Sequence, residues 1–202
     1  IRVAGLKDIE KLDYANLKYE ELSEKLLVRY IAQGTLWKMG DMFQLSIELY
    51  DTKDKKVVWS DRWQEKWDNL PNIKGSLSDG LLKALNIKPN FIRKPDTDNT
   101  KAYEFYLNAK YKWFKGGSGI DHIEPEEESK IRDLLKKSIE LDNNLLASKI
   151  LLGRTYYFED LGSLKLTLKA RNIFEEVLKS AKNLNDQLHI GLALRNIGIT
   201  YF

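Results

Sequence analysis

"LLGRTYYF", residues 151–158, returns as "NIGITYF" at 196–202, so an apolar residue, a glycine, two variable positions and a tyrosine recur 45 positions apart. Self-similarity at a fixed offset marks stacked supersecondary units. It pairs Gly153 with Tyr156 and Gly198 with Tyr201. A residue without a Cβ lets two helices cross closely, and a tyrosine three positions on shares its helix face. Ala170 and Phe174 stand four apart on the following segment, and Ile131, Leu135 and Ser138 keep helical spacing before it, up to the polar end "LDNN". The reading is an array of antiparallel helical hairpins, with Gly153 and Gly198 at the crossings. The last motif supplies only a first helix, whose apolar side is expected to face solvent or another chain.

Working outward, "TKAYEFYLNAKYKWF" places Ala102, Phe105, Tyr106, Ala109 and Trp113 on one side of a helix, with Thr100 as its cap. "KGGSGIDHIEP" reads as a loop, and "EEESKIRDLLKKSIELD" as a helix whose acids open it and whose lysines come later, which suits the helix dipole. "EDLGSLKLT" is read as a lengthened connection. "KPNFIRKPDTDNT", residues 88–100, holds two of the four prolines and marks a boundary.

The part before that boundary has a different period. "IRVAG" reads as a short strand and "NLKYEELSEKLL" as a helix, with Asn16 at its start and Leu17, Leu22, Leu26 and Leu27 on its stripe. "RYIAQGTLWKMG" and "MFQLSIELYD" join at Gly40-Asp41 as a hairpin, burying Phe43, Leu45, Ile47 and Leu49. In "KKVVWSDRWQEKW", residues 55–67, Trp59 and Trp63 share a strand face with Val57 and Asp61, and Trp67 lies past the strand. Large rings on a sheet face read as packing, since burying one removes on the order of 150–250 Å² from water. Pro71 and "NIKGSLSDGLLKALNI" suggest a loop and then a further helix. The fold class is α+β: a small mixed or antiparallel sheet domain at 1–90, a linker at 91–100, and a helical array at 101–202.

Composition narrows the function. The 202 residues are 43% hydrophobic and 31% charged, with a net charge of +3. Opposite charges nearly balance in both halves, which does not favour a nucleic-acid surface. Without cysteine there is no disulfide, thiolate chemistry or cysteine zinc site. No membrane-length apolar run occurs, so direct membrane contact is not expected. The ends, "IRVAG" and "TYF", both read as cut from a longer chain.

The helical half resembles the tetratricopeptide repeat, although its offset exceeds the usual 34 residues and Asn143 and "NLND" stand where a proline is usual. Taken in order, "VRYIAQGTLWKMGD", "LYDTKDKKVVWSDRW" and "AYEFYLNAKYKW" resemble the TolB amino-terminal-like α/β domain that precedes such repeats in bacterial signalling proteins. The family's first strand and helix are absent from this chain. The resemblance implies a non-catalytic regulatory or sensor segment, above all of a class III adenylate/guanylate cyclase. The equivalent segment of a winged-helix transcription regulator or serine/threonine kinase, and a structural oligomerisation scaffold, are the alternatives. It also implies a parent chain that is cytoplasmic or membrane-anchored.

Chemistry-bearing residues are few. Asp121, His122, Glu124 and Glu126 in "DHIEPEEE" read as a solvated helix start rather than a cation cage. "KGGSGID" lacks the lysine and hydroxyl of a phosphate loop. His189 reads as a surface or packing residue. No catalytic residue, metal or cofactor is expected. The expected functional surface is a face of the hairpin stack that takes a protein or peptide, with Tyr103, Tyr106, Tyr111, Trp113, Arg154 and Tyr157 as candidates. A homodimer is the other assembly considered.

Overall fold

The computed structural model describes residues 3–88, 96–116 and 123–201, and the chain divides into two compact units between residues 95 and 96. The first runs α1 (Leu6–Glu10), α2 (Tyr19–Leu26), β1 (Tyr30–Met39), β2 (Met42–Asp51), β3 (Lys56–Lys66), a 3-10 turn at Trp67–Asn69 and α3 (Leu70–Ala84). The strands form an antiparallel meander in the order β1-β2-β3. Met39 pairs with Met42 across Gly40-Asp41, and Gly40 sits at φ +59°, a region glycine enters without strain.

Leu45 lies opposite Trp63 and Leu49 opposite Trp59, with Phe43 and Leu49 buried. The rings of Trp59 and Trp63 are 6.2 Å apart, and Trp67 meets the Phe43 ring edge-on at 5.5 Å. Trp59 reaches α3 at Gly80, where an added Cβ would stand 2.5 Å from its ring. The half-buried indoles therefore pack the sheet against its helix. The other face holds α2: the Tyr19 and Tyr50 rings pack at a tilt, 4.6 Å apart, and the Tyr19 hydroxyl lies 2.7 Å from Gln33 Oε1 and 2.9 Å from Glu48 Oε1.

Several local expectations are corrected. Val3–Gly5 is not a strand: the Gly5 carbonyl accepts from the amides of Asp8 and Ile9 and so begins α1. Asn16 bonds Asp13 at 2.8 Å rather than capping α2, which starts at Tyr19. Leu27 is the exposed, left-handed C-cap of that helix. A bulge at Leu49/Tyr50 sets Val57 opposite Tyr50, so Val57 leaves the face of Trp59. Pro71 falls in the first turn of α3, where a missing N–H costs nothing.

At the end of the hairpin, Arg29 grips buried Asp51 through Nη2–Oδ2 at 2.6 Å and Nε–Oδ1 at 3.0 Å, while the Lys53 amide donates to Oδ1. The Arg29 hydrogen bonds hold the Asp51 carboxyl at about 2, against burial that pushes it up. A carboxylate depressed in the folded state stabilises it above the unfolded value near 3.8 and loses that contribution as pH falls toward 2. Acid titration followed by amide resonances of β1–β3 should show stability falling between pH 4 and 2. Asp51→Asn should be less stable at pH 7 and flatter over that interval; an unchanged slope would contradict the assignment.

The second unit contains α4 (Thr100–Lys115), α5 (Pro125–Leu141), α6 (Leu146–Glu159), α7 (Leu164–Asn183) and α8 (Gln187–Ile199). α4 packs on α5 and α6 on α7 as hairpins, while α6 also meets α8. The cap of α4 is Asn99, not Thr100: its side chain accepts from the Ala102 amide at 3.0 Å and donates to the Leu141 carbonyl. With Thr97 hydrogen-bonded to Asp142, the end of the supposed linker belongs to this unit. The connection after α6 is short, because α7 starts at Leu164 with Ser163 as its cap.

Gly153 marks a true crossing. A Cβ there would stand 2.8 Å from Cζ and 3.0 Å from Cδ1 of the fully buried Phe174, with Cε1 closer still. Gly198 does not, since nothing lies within 4 Å of its Cβ position. Ser138 Oγ donates to the Ala102 carbonyl and meets Ser148 Oγ, both at 2.8 Å, which ties α4, α5 and α6 together.

An arginine repeats with the motif. Arg132 on α5 donates to the Thr155 carbonyl at 3.0 Å and covers the Tyr156 ring at 4.6 Å. Arg171 on α7 bonds Thr200 Oγ1 at 2.9 Å and its carbonyl, and covers Tyr201 at 3.8 Å. "IRDLL" (131–135) and "ARNIF" (170–174) thus hold the same place before successive motifs.

Candidate functional site

The even-numbered helices of the second unit each turn one face to a common cleft. α4 contributes Tyr106, Lys110 and Phe114; α6 contributes Ala147, Ile150, Leu151 and Arg154; α8 contributes His189, Leu192, Arg195 and Asn196. Steps of three and four bring each set onto a single helix face. The cleft is about 150 Å³, below the roughly 300–1,000 Å³ of small-molecule and cofactor sites, so it fits a side chain.

Its electrostatics are one-sided: among the described residues, no acidic side chain lines it. The Arg154 Nε is buried without a hydrogen-bond partner. Burial first, and then the charge of Arg195, lower the Arg154 pKa. The guanidinium nevertheless remains cationic at neutral pH. His189 is buried, with Nδ1 2.6 Å from Oδ2 of Asp186, the residue that caps α8 by accepting from the His189 amide. The Asn196 amide donates to the Leu192 carbonyl at 2.7 Å. Burial and the nearby Asp96 raise the Tyr106 pKa, so its hydroxyl stays protonated.

The six partner-binding candidates separate by environment. Tyr106 and Arg154 enter the cleft. Trp113 is fully buried among Ala109, Ile131, Leu135 and Leu151, and Tyr103 is buried with its pKa pushed up to about 12 by burial and Asp96. Trp113 lies on the core side of the α4–α5 hairpin and Tyr103 is buried beside the Tyr106 ring, so neither presents its ring to a partner. Tyr157 donates its hydroxyl to the Ile199 carbonyl at 2.8 Å, fastening α6 to α8. Tyr111 is exposed on another depression, between α4 and α5, that includes the 3.0 Å Lys112–Glu127 pair.

Among the repeat residues, Tyr156, Ala170 and Phe174 form one buried cluster beside Gly153, while Tyr201 is exposed under Arg171. Lys110, His189, Arg195 and Asn196 are cleft residues that motif reasoning missed. Leu192, Arg195 and Asn196 keep helical spacing, which puts them on one face of α8 but does not say what that face meets.

Asp121 and His122, with most of "KGGSGID", lie outside the described residues; Glu126 pairs with Lys130 at 2.9 Å. Among the described residues, no three metal-ligating side chains gather. No described helix is long and apolar enough to cross a membrane. Comparison with known proteins finds no matching family model and no matching curated protein.

Proposed function

We propose that this chain is a non-catalytic regulatory and protein-interaction segment whose helical unit holds a peptide stretch of a partner in the α4–α6–α8 cleft. Binding there is relayed to an output domain outside these residues. The observation that carries this reading is the cleft itself, an open concave face built by alternate helices with a buried, unpartnered guanidinium nitrogen. A small sheet unit followed by helical hairpins is also the order found in the TolB amino-terminal-like and tetratricopeptide-repeat regions of bacterial signalling proteins. That favours a class III adenylate/guanylate cyclase as the parent, ahead of a winged-helix regulator or serine/threonine kinase.

A structural oligomerisation scaffold is the second reading. It is favoured by the exposed Leu36, Trp37 and Met39 on edge strand β1. Peptide-library selection on the chain, with light scattering of the same sample, separates the two. The proposed function expects a monomer and enriched sequences that shift amide resonances of α4, α6 and α8. A concentration-dependent dimer with no enriched sequence would hand the role to the scaffold.

A further inference from the structure

We infer that the cleft recognises a carboxylate side chain on the partner, an aspartate or glutamate next to an apolar residue, held between Arg154 and Arg195. This rests on reading the cleft as a peptide site and adds the chemistry of what enters it.

Elsewhere in the unit, cations withdrawn from water are matched. Arg132 meets Glu128 at 3.3 Å and Glu159 at 2.8 Å, and buried Lys149 meets Glu176 at 2.7 Å. Arg154 breaks this rule: it is half-buried and among the described residues has no carboxylate partner, while the exposed Arg195, also without one, faces the same cleft and raises the cost of charge on Arg154. Two like charges held together in a partly desolvated wall favour an anion between them. A planar guanidinium also offers paired donors that match a carboxylate fork.

The rest of the lining distinguishes an acidic peptide from a free anion. Ile150, Leu151 and Leu192 provide an apolar wall that an inorganic ion would not use. Because the Asn196 amide donates to its own helix, Asn196 offers an acceptor, suited to a peptide N–H.

The test uses two end-capped, fluorescein-labelled pentapeptides, one with glutamate between two leucines and a twin with glutamine. The chain should bind the glutamate peptide about tenfold more tightly, the ratio that 1.4 kcal/mol of selective ion pairing produces. The preference should shrink when NaCl rises from about 50 to 300 mM. Arg154→Met and Arg195→Gln should each abolish it. Arg154→Met should also keep or raise the melting temperature, because it removes a half-buried charge that has no ion-pair partner among the described residues.

Equal affinity for the twins, preference surviving in Arg154→Met, or a marked loss of melting temperature in that variant would each overturn the inference. Inorganic phosphate displacing the glutamate peptide at micromolar concentration would also overturn it, in favour of a phosphate ligand. If neither twin binds while library selection still yields cleft-binding sequences, the acidic specificity falls and the peptide-binding reading stands.

Discussion

Truncating Phe174 to alanine is expected to destabilise the helical unit by about 3–5 kcal/mol, as for other fully buried phenylalanines. The ring is 0% exposed and packs with Tyr156 and Ala170. Its edge occupies the space where a side chain at position 153 would begin. The same contact can be approached from the other side. Gly153→Ala should cost about 1–3 kcal/mol through overpacking, even though alanine gains roughly 1 kcal/mol of helix propensity.

Gly198→Ala, in the matching motif, should instead gain most of that propensity, because nothing lies within 4 Å of its Cβ position. Urea unfolding followed by far-ultraviolet circular dichroism measures all three. The Gly153→Ala/Phe174→Ala double variant should lose less than the sum of its parts, since the smaller residue opens the space that the methyl needs. Equal effects at Gly153 and Gly198, or strict additivity, would show that Phe174 does not set the crossing.

That contrast shows what a sequence can carry. Ile131, Leu135 and Ser138, like Ala170 and Phe174, were legible because amphipathic spacing is a local property that packing then satisfies. The hairpin at Gly40-Asp41 was legible for the same reason, through alternation and a turn residue. Features that depend on a partner were not. Nothing in "KKVVW" announces the bulge that moves Val57 off the tryptophan face, because a bulge is a property of two strands. Asn99 and Thr100 both suit a cap, and only the position of the Leu141 carbonyl favours Asn99.

Gly153 and Gly198 look alike as letters and differ in what stands opposite them. The cleft is the extreme case: Lys110, Arg154 and Arg195 come from three helices that meet only after the hairpins stack, so Arg154 was legible as a candidate and its companions were not.

Arg132→Ala is expected to cost the helical unit about 3 kcal/mol, near the lower end for removing one partner of a buried ion pair. Its side chain is 13% exposed against 10% for Glu128, and the guanidinium also reaches Glu159, the Thr155 hydroxyl and carbonyl, and the Tyr156 ring. Removing it takes one charge partner from Glu128 and one from Glu159, and a donor from a carbonyl on the neighbouring helix, in a space that water reaches poorly.

Arg171→Ala provides the internal comparison. It breaks the same set of bonds to Thr200, but over a tyrosine that is 66% exposed, so about 1 kcal/mol is expected. If burial sets the value of this arginine bridge, Arg132→Ala should shift the urea midpoint about three times as far as Arg171→Ala. Arg132→Lys should recover only part of the loss, because an ammonium cannot serve the Thr155 carbonyl and Glu128 with the same planar fork. Equal shifts at the two positions, or full recovery by lysine, would reduce the bridge to a simple charge contact and remove it as the device that joins α5 to α6 and α7 to α8.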